Sequence, residues 1–196
     1  IYVDKVTNLS ILYNYIQTNK EEYHIYMTNS YLNSSDGVQI IGNMIHSSYI
    51  PNAVPADLVK ASGIFLNGQA AQGVIRYVQI KDNCIFRTIE AINLHRTRYV
   101  NIEGNIVFTS THFIYNEDND ACDVSNNQVH ADVTRFFYAE TPGLLPYANM
   151  TVHDNRYGAR QTSGVFKYSY TFSAAANSTD TYTVNFGHND LYTTKP

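Results

Sequence analysis

The side chains with the chemistry to act on a substrate fall in a few short stretches. His95 and Arg96 follow the apolar run "AINL" (91–94), Glu117, Asp118 and Asp120 lie in "NEDND" (116–120), and Glu140 closes "RFFYAE" (135–140). Two carboxyl groups on either side of a glycosidic bond can cleave it, a protonated one beside an ionised one. Glu117, Asp118 and Glu140 are therefore the candidate acid and base, with His95 and Arg96 placed to orient a charged sugar. Tyr115, Tyr138, Tyr147 and Tyr168 offer aromatic faces on which sugar rings stack. A blander reading makes "NEDND" a solvated turn. Its oxygen density suits calcium, but the spacing is not that of an EF-hand loop. The 7 histidines contain no H-x-x-x-H pair and there are only 2 cysteines, so a zinc site is not expected and the histidines read as surface or stacked positions. No metal or cofactor is assigned, because nucleophile-elbow, phosphate-loop and dinucleotide fingerprints are absent.

Such residues act together only if the fold brings distant stretches side by side, and a repeat shows how. The pattern apolar-x-apolar-x-x-Asn-x-apolar occurs at Leu9, Val38, Val78, Val100, Cys122, Met150 and Val184, with its asparagine at 14, 43, 83, 105, 127, 155 and 189. Successive differences are 29, 40, 22, 22, 28 and 34, a minimum period near 22 with insertions, which signals a solenoid. The paired apolar positions, such as Val100 and Ile102, face inward at the strand period of two, while Asn101 and its equivalents are polar. The asparagine is expected at a corner, in the left-handed conformation its short amide tolerates, with stacked amides bonding in a ladder. Two positions later an apolar residue (Ile16, Ile45, Ile85, Val107, Val129, Tyr157, Leu191) starts the next wall.

A third strand per repeat reads at "GIFL" (63–66), "AINL", "HFIY" (112–115), "RFFY" (135–138) and "GVFKY" (164–168). Strand, turn, strand, Asn turn, strand resembles the right-handed parallel β-helix of the pectate-lyase-like superfamily, in which bacteriophage tailspikes are prominent. The resemblance implies an all-β fold, a right-handed parallel β-helix of about seven coils and roughly 34 Å, with loop insertions at one corner: Asn67–Tyr77, Ala139–Asn149 and Tyr170–Thr183. It also implies a homotrimer on a virion tail, extracellular, meeting a cell-surface polysaccharide. The calcium and arginine signature of pectate lyases has no residue-by-residue match and is not carried over.

The bulk properties agree. The 196 residues suit one domain, 1–196, and the start at Ile1 and absence of an obvious cap suit a section of a longer chain. Only "PADLVKASG" (55–63) reads as an amphipathic capping helix. With 15% charged residues, a net charge of −4 and no basic block, nucleic acid is not an expected partner. No apolar run is long enough for a membrane helix, and the N-terminus lacks signal-peptide order. Cys84 and Cys122 fall on different coils beyond disulfide reach, so free thiols are expected, Cys122 buried. Three functions follow: a tailspike-type segment that recognises and cleaves polysaccharide, a non-catalytic glycan- or host-binding module, or a structural spacer.

Overall fold

The computed structural model describes residues 1–18, 23–29, 35–47, 62–68, 73–117, 119–131, 135–141, 147–160, 170–174 and 181–194. Within them the regular structure is all strand, and every ladder is parallel. The strands form three stacked walls. The first is the 7-stranded sheet of Leu9–Leu12, Ser35–Ile41, Ile75–Lys81, Thr97–Glu103, Asp120–Ser125, Tyr147–His153 and Thr181–Gly187. The second contains Tyr15–Thr18, Met44–Ser47, Gln128–Ala131, Arg156–Arg160 and Asp190–Thr194, and the third Tyr2–Asp4, Ile25–Asn29, Ser62–Gly68, Arg135–Thr141 and Tyr170–Ala174. Two 12-residue strands, Cys84–His95 and Ile106–Glu117, run through both, their register shifting between Phe108 and His112 where the sheet bends. This arrangement is compatible with a parallel β-helix.

The inward columns are those the repeat predicts, except that Phe186, also expected inward, is 50% exposed on the end strand of the first wall. Val38, Ile40, Val78, Ile80, Val100, Ile102, Cys122, Val124, Met150 and Val152 are buried on the first wall, and Ile45, Ile85, Val107, Val129 and Tyr157 on the second. Each fully buried aliphatic side chain stabilises by about 1.5–3 kcal/mol.

The seven asparagines form a ladder. Each Nδ2 donates to the next Oδ1 at 2.9–3.0 Å, from Asn14 through Asn43, Asn83, Asn105, Asn127 and Asn155 to Asn189. The same Oδ1 accepts the preceding asparagine's backbone N–H at 2.9–3.0 Å. The left-handed residue, however, is the one before: Tyr13, Gly42, Asp82, Gly104, Asn126, Asp154 and His188 have φ between 43° and 68°. The corner thus divides two tasks that the sequence reading gave to one residue. The bend is taken by the preceding position, which frees the asparagine side chain to point inward and bond along the stack. At Gly104 a Cβ would meet Asp82 Oδ1, and the φ of 68° is one that side chains rarely adopt.

A second left-handed column crosses the first wall at Asn8, Gly37, Tyr77, Tyr99 and Ala121. For a non-glycine residue this region costs roughly 1–2 kcal/mol, least for asparagine.

Several expected boundaries move. Ser62 and Gly63, read as the end of a helix, begin the strand Ser62–Gly68, and 55–61 lie outside the described residues. The third-wall strand after Arg135–Thr141 is Tyr170–Ala174, registered Phe137↔Tyr170, where "GVFKY" was expected; 161–169 lie outside the described residues. Ala139–Thr141, Tyr147–Asn149 and Tyr170–Ala174, read as loop, are strand, because ladder pairing with neighbours extends past the apolar core of each motif. Residues 69–72, 142–146 and 175–180, also outside the described set, fall between a third-wall and a first-wall strand. Both cysteines are free, and burial pushes the Cys122 thiol up to about 12.

Candidate functional site on the third wall

Parallel in-register pairing turns residues one repeat apart into columns. On the third wall Ile64, Leu66, Ile92, Leu94 and Ile114 are fully buried, so the alternate positions form the other face. One column off the core is Tyr2, Tyr26, Phe65, Asn93 and Tyr115, with position 138 next in register, and the neighbouring one is Asp4, Thr28, Asn67, His95 and Glu117, with position 140 next; Thr28, Phe65 and Asn93 are nonetheless buried. Three residues singled out for chemistry or sugar stacking, His95, Glu117 and Tyr115, are therefore direct neighbours on one face, with Tyr138 registered against Tyr115 and Glu140 against Glu117.

The remaining predicted residues are placed otherwise. Arg96 is at the corner after this face, with φ 50°, its Nη1 at 3.5 Å from the Gly68 carbonyl. Tyr147 opens a first-wall strand registered with Thr181, one wall away from Tyr115. Asp118 and Tyr168 lie outside the described residues. "NEDND" is not simply a solvated turn: Asn116 and Asn119 are buried, and Asn119 braces the corner. Its Oδ1 accepts from Thr97 N and Oγ1, while its Nδ2 donates to Leu94 O, Glu117 O and Asn116 Oδ1 at 2.7–2.9 Å. That leaves Glu117 as the described carboxylate of this stretch on the face.

The face also holds groups the motif search passed over. Glu90, only 8% exposed, accepts from Ser62 Oγ at 3.0 Å and Asn93 Nδ2 at 2.6 Å, and lies 3.7 Å from His112 Nδ1. Aromatic rings join the cluster: Tyr115 lies 5.8 Å from His95 and 6.1 Å from His112, and Phe65 meets His95 edge-on at 4.9 Å. Phe65 continues into Tyr23 and Tyr26, and Tyr26 into Tyr2, at 4.7–5.3 Å. The signal was available. Glu90 and His112 are separated by one minimum period, and Phe65 sits between two inward residues, so its ring had to face out.

The electrostatics centre on His95. Burial pulls its imidazole down to about 4, Glu90 opposing and Arg96 adding to the depression. Glu117 Oε2 is 3.2 Å from His95 Nε2, yet the ring nitrogen has no aligned hydrogen-bond partner. At neutral pH the ring is uncharged, so the contact sets a dipole against a carboxylate rather than an ion pair. Burial likewise raises the Tyr23 phenol, with Tyr26 and Glu90 adding to it. Among the described residues no group of three or more His, Cys, Asp or Glu is placed to hold a metal ion.

The face thus combines a half-buried acid beside a neutral imidazole, a second, nearly buried carboxylate, and a run of aromatic rings. No protein-family model, no curated protein and no solved structure matches this chain. Its function is therefore argued from these residues.

Proposed function

We propose that the chain is a segment of a viral tailspike-type receptor-binding protein, built as a right-handed parallel β-helix of the pectate-lyase-like kind. In this reading the outward third-wall face binds and cleaves a cell-surface polysaccharide. The observation that carries it is the pairing of two columns, one of aromatic rings and one of His95, Glu117 and Glu140, in adjacent register on one face. Sugar rings stack on Tyr26, Tyr115 and Tyr138 while their hydroxyls meet the polar column. Glu117 and Glu140 are register partners on adjacent strands, a backbone spacing of about 4.8 Å that permits the shorter of the two carboxyl separations glycosidases use. Like charges that close favour one proton held between them, which supplies an acid and a base together. His95, packed against Phe65 and beside Glu117, is placed to meet the sugar.

The test is incubation with capsular or lipopolysaccharide O-chain material, assayed for new reducing ends or unsaturated uronate. Loss of cleavage in Glu117→Gln and Glu140→Gln supports the assignment; full activity in both sinks it. Homotrimer formation is read by light scattering on the same sample. A non-catalytic glycan- or host-binding module is favoured by a different observation, the aromatic run Tyr2, Tyr23, Tyr26 and Phe65, which needs no carboxylate. Retention of the polysaccharide without new ends selects that reading.

A further inference from the structure

The first wall carries an aromatic feature that the third-wall face does not use. Tyr77 and Tyr99 stand on neighbouring strands with rings stacked at 5.0 Å and 11°, 56% and 51% exposed. Both are left-handed, with φ 56°, in the column that elsewhere holds Asn8 and Gly37, residues at ease in that conformation. The bend does not call for tyrosine, and rings this exposed gain little from burial, so their mutual stack is what the strained position gains from them.

The stack is open at one end. Beside Tyr99 the column continues with Ala121 and then Asn149, as the pairings Val100↔Cys122 and Cys122↔Met150 fix. Two strand spacings, about 9.6 Å, separate the Tyr99 and Asn149 positions, and among the described side chains of this column only the Ala121 methyl group lies between them. That gap takes one six-membered ring against the face of Tyr99. Asp120 is at its edge, its Oδ1 held only loosely by the Asn149 backbone N–H and side-chain amide at 3.4 and 3.5 Å. On the far side of the stack Arg76 is consumed by a two-point ion pair with Asp36 at 2.7 and 2.9 Å.

We propose that the gap over Ala121, between the Tyr99 ring and Asn149, is a second carbohydrate site that takes one neutral pyranose ring. The sugar's apolar face packs on Tyr99, extending the stack, and its hydroxyls donate to Asp120 and bond the Asn149 amide. A flat aromatic ligand would satisfy the ring face but leave those two groups unmet. The site lies on a different wall from Glu117 and stands independently of the cleavage reading.

Saturation-transfer NMR on the full chain tests it, with the methyl glycosides of glucose, galactose, mannose and N-acetylglucosamine as probes. At least one is expected to receive transfer at its ring C–H protons. Ala121→Tyr fills the gap with a third ring in the backbone conformation that already carries Tyr77 and Tyr99, and Tyr99→Asn removes the platform with a residue suited to the bend. Each should cut the transfer at least fivefold with an unchanged circular-dichroism spectrum, while Tyr13→Asn, a change at another exposed left-handed tyrosine, leaves it intact. No transfer from any of the four sugars, or equal transfer in wild type and both first-wall variants, overturns the site. Transfer lost in Glu117→Gln but kept in Tyr99→Asn also overturns it, and assigns sugar binding to the third wall instead.

Discussion

The asparagine corner and the third-wall face are built on the same repeat but use their polar groups in opposite ways. At the corner each internal amide is consumed: Asn105 Oδ1 accepts from Asn83 N and Nδ2, and its Nδ2 donates to Ile80 O, Glu103 O and Asn127 Oδ1. On the face, Asn93 Oδ1 and His95 Nε2 are buried without an aligned partner, as are Asn101 Oδ1 and Asp123 Oδ1 on the first wall, and Glu90 is nearly buried. A fully satisfied network stabilises and fixes one structure, whereas the face gathers groups of mixed chemistry that are not locked into one ladder. Asparagine appears in both, so residue type alone does not separate them.

Four measurements break or sharpen this contrast. The largest effect is expected at the corner. Asn105→Ala leaves Asn83 N without its partner and takes one of two bonds from Asn83 Nδ2 and from Asn127 Oδ1, which keep Ile40 O and the Asn105 N–H, and at about 1–3 kcal/mol for the buried orphan plus the weakened ladder the loss reaches about 3 kcal/mol. Urea unfolding checks it; a loss under about 1 kcal/mol would mean that the ladder is ornamental. On the face the balance reverses. Glu117→Gln is expected to lower cleavage about 10³-fold while moving stability by no more than about 0.5 kcal/mol.

The third measurement is pH dependence. His95 is held well below its ordinary 6.5, at about 4, so the unfolded chain takes up a proton that the folded chain refuses. Its contribution to stability is complete above pH 6.5 and is lost as pH falls toward 4, about 2 kcal/mol after allowing for partial exposure and the nearby Glu117. His95→Gln should flatten that part of the stability profile; an unchanged slope would show that the imidazole is not the group titrating. The smallest effect returns to the corner. Tyr13, 77% exposed, has φ 54° where Asn126 occupies the equivalent bend, so Tyr13→Asn should raise stability by about 0.5–1 kcal/mol in thermal melts.

Much of the scaffold was legible before any coordinates. Alternation and the recurring asparagine are local patterns, and a parallel, in-register stack makes every repeat restate the same column, which is why Val100, Ile102, Asn105 and Val107 each take the place expected of them. The conformational detail was less so. Whether the bend falls on Asn105 or on Gly104 depends on where the side chain must point, and that is set by the neighbouring strand's amide.

The candidate site divides along the same line. That His95, Glu117 and Glu140 fall in one register followed from one period of spacing, but the boundary of "NEDND" did not, because Asn119 is drawn inward by Leu94 and Thr97 of the preceding repeat and Asn116 by Asn119. Sequence by itself determined the stacked parallel walls, their inward columns and the ladder, since each rests on residue type at a fixed local offset. Only the tertiary structure decided that Glu90 is held among Ser62, Asn93 and His112, that Tyr147 belongs to another wall, and that the His95 ring is neutral. Those outcomes depend on burial and on register between strands tens of residues apart, which no local pattern encodes.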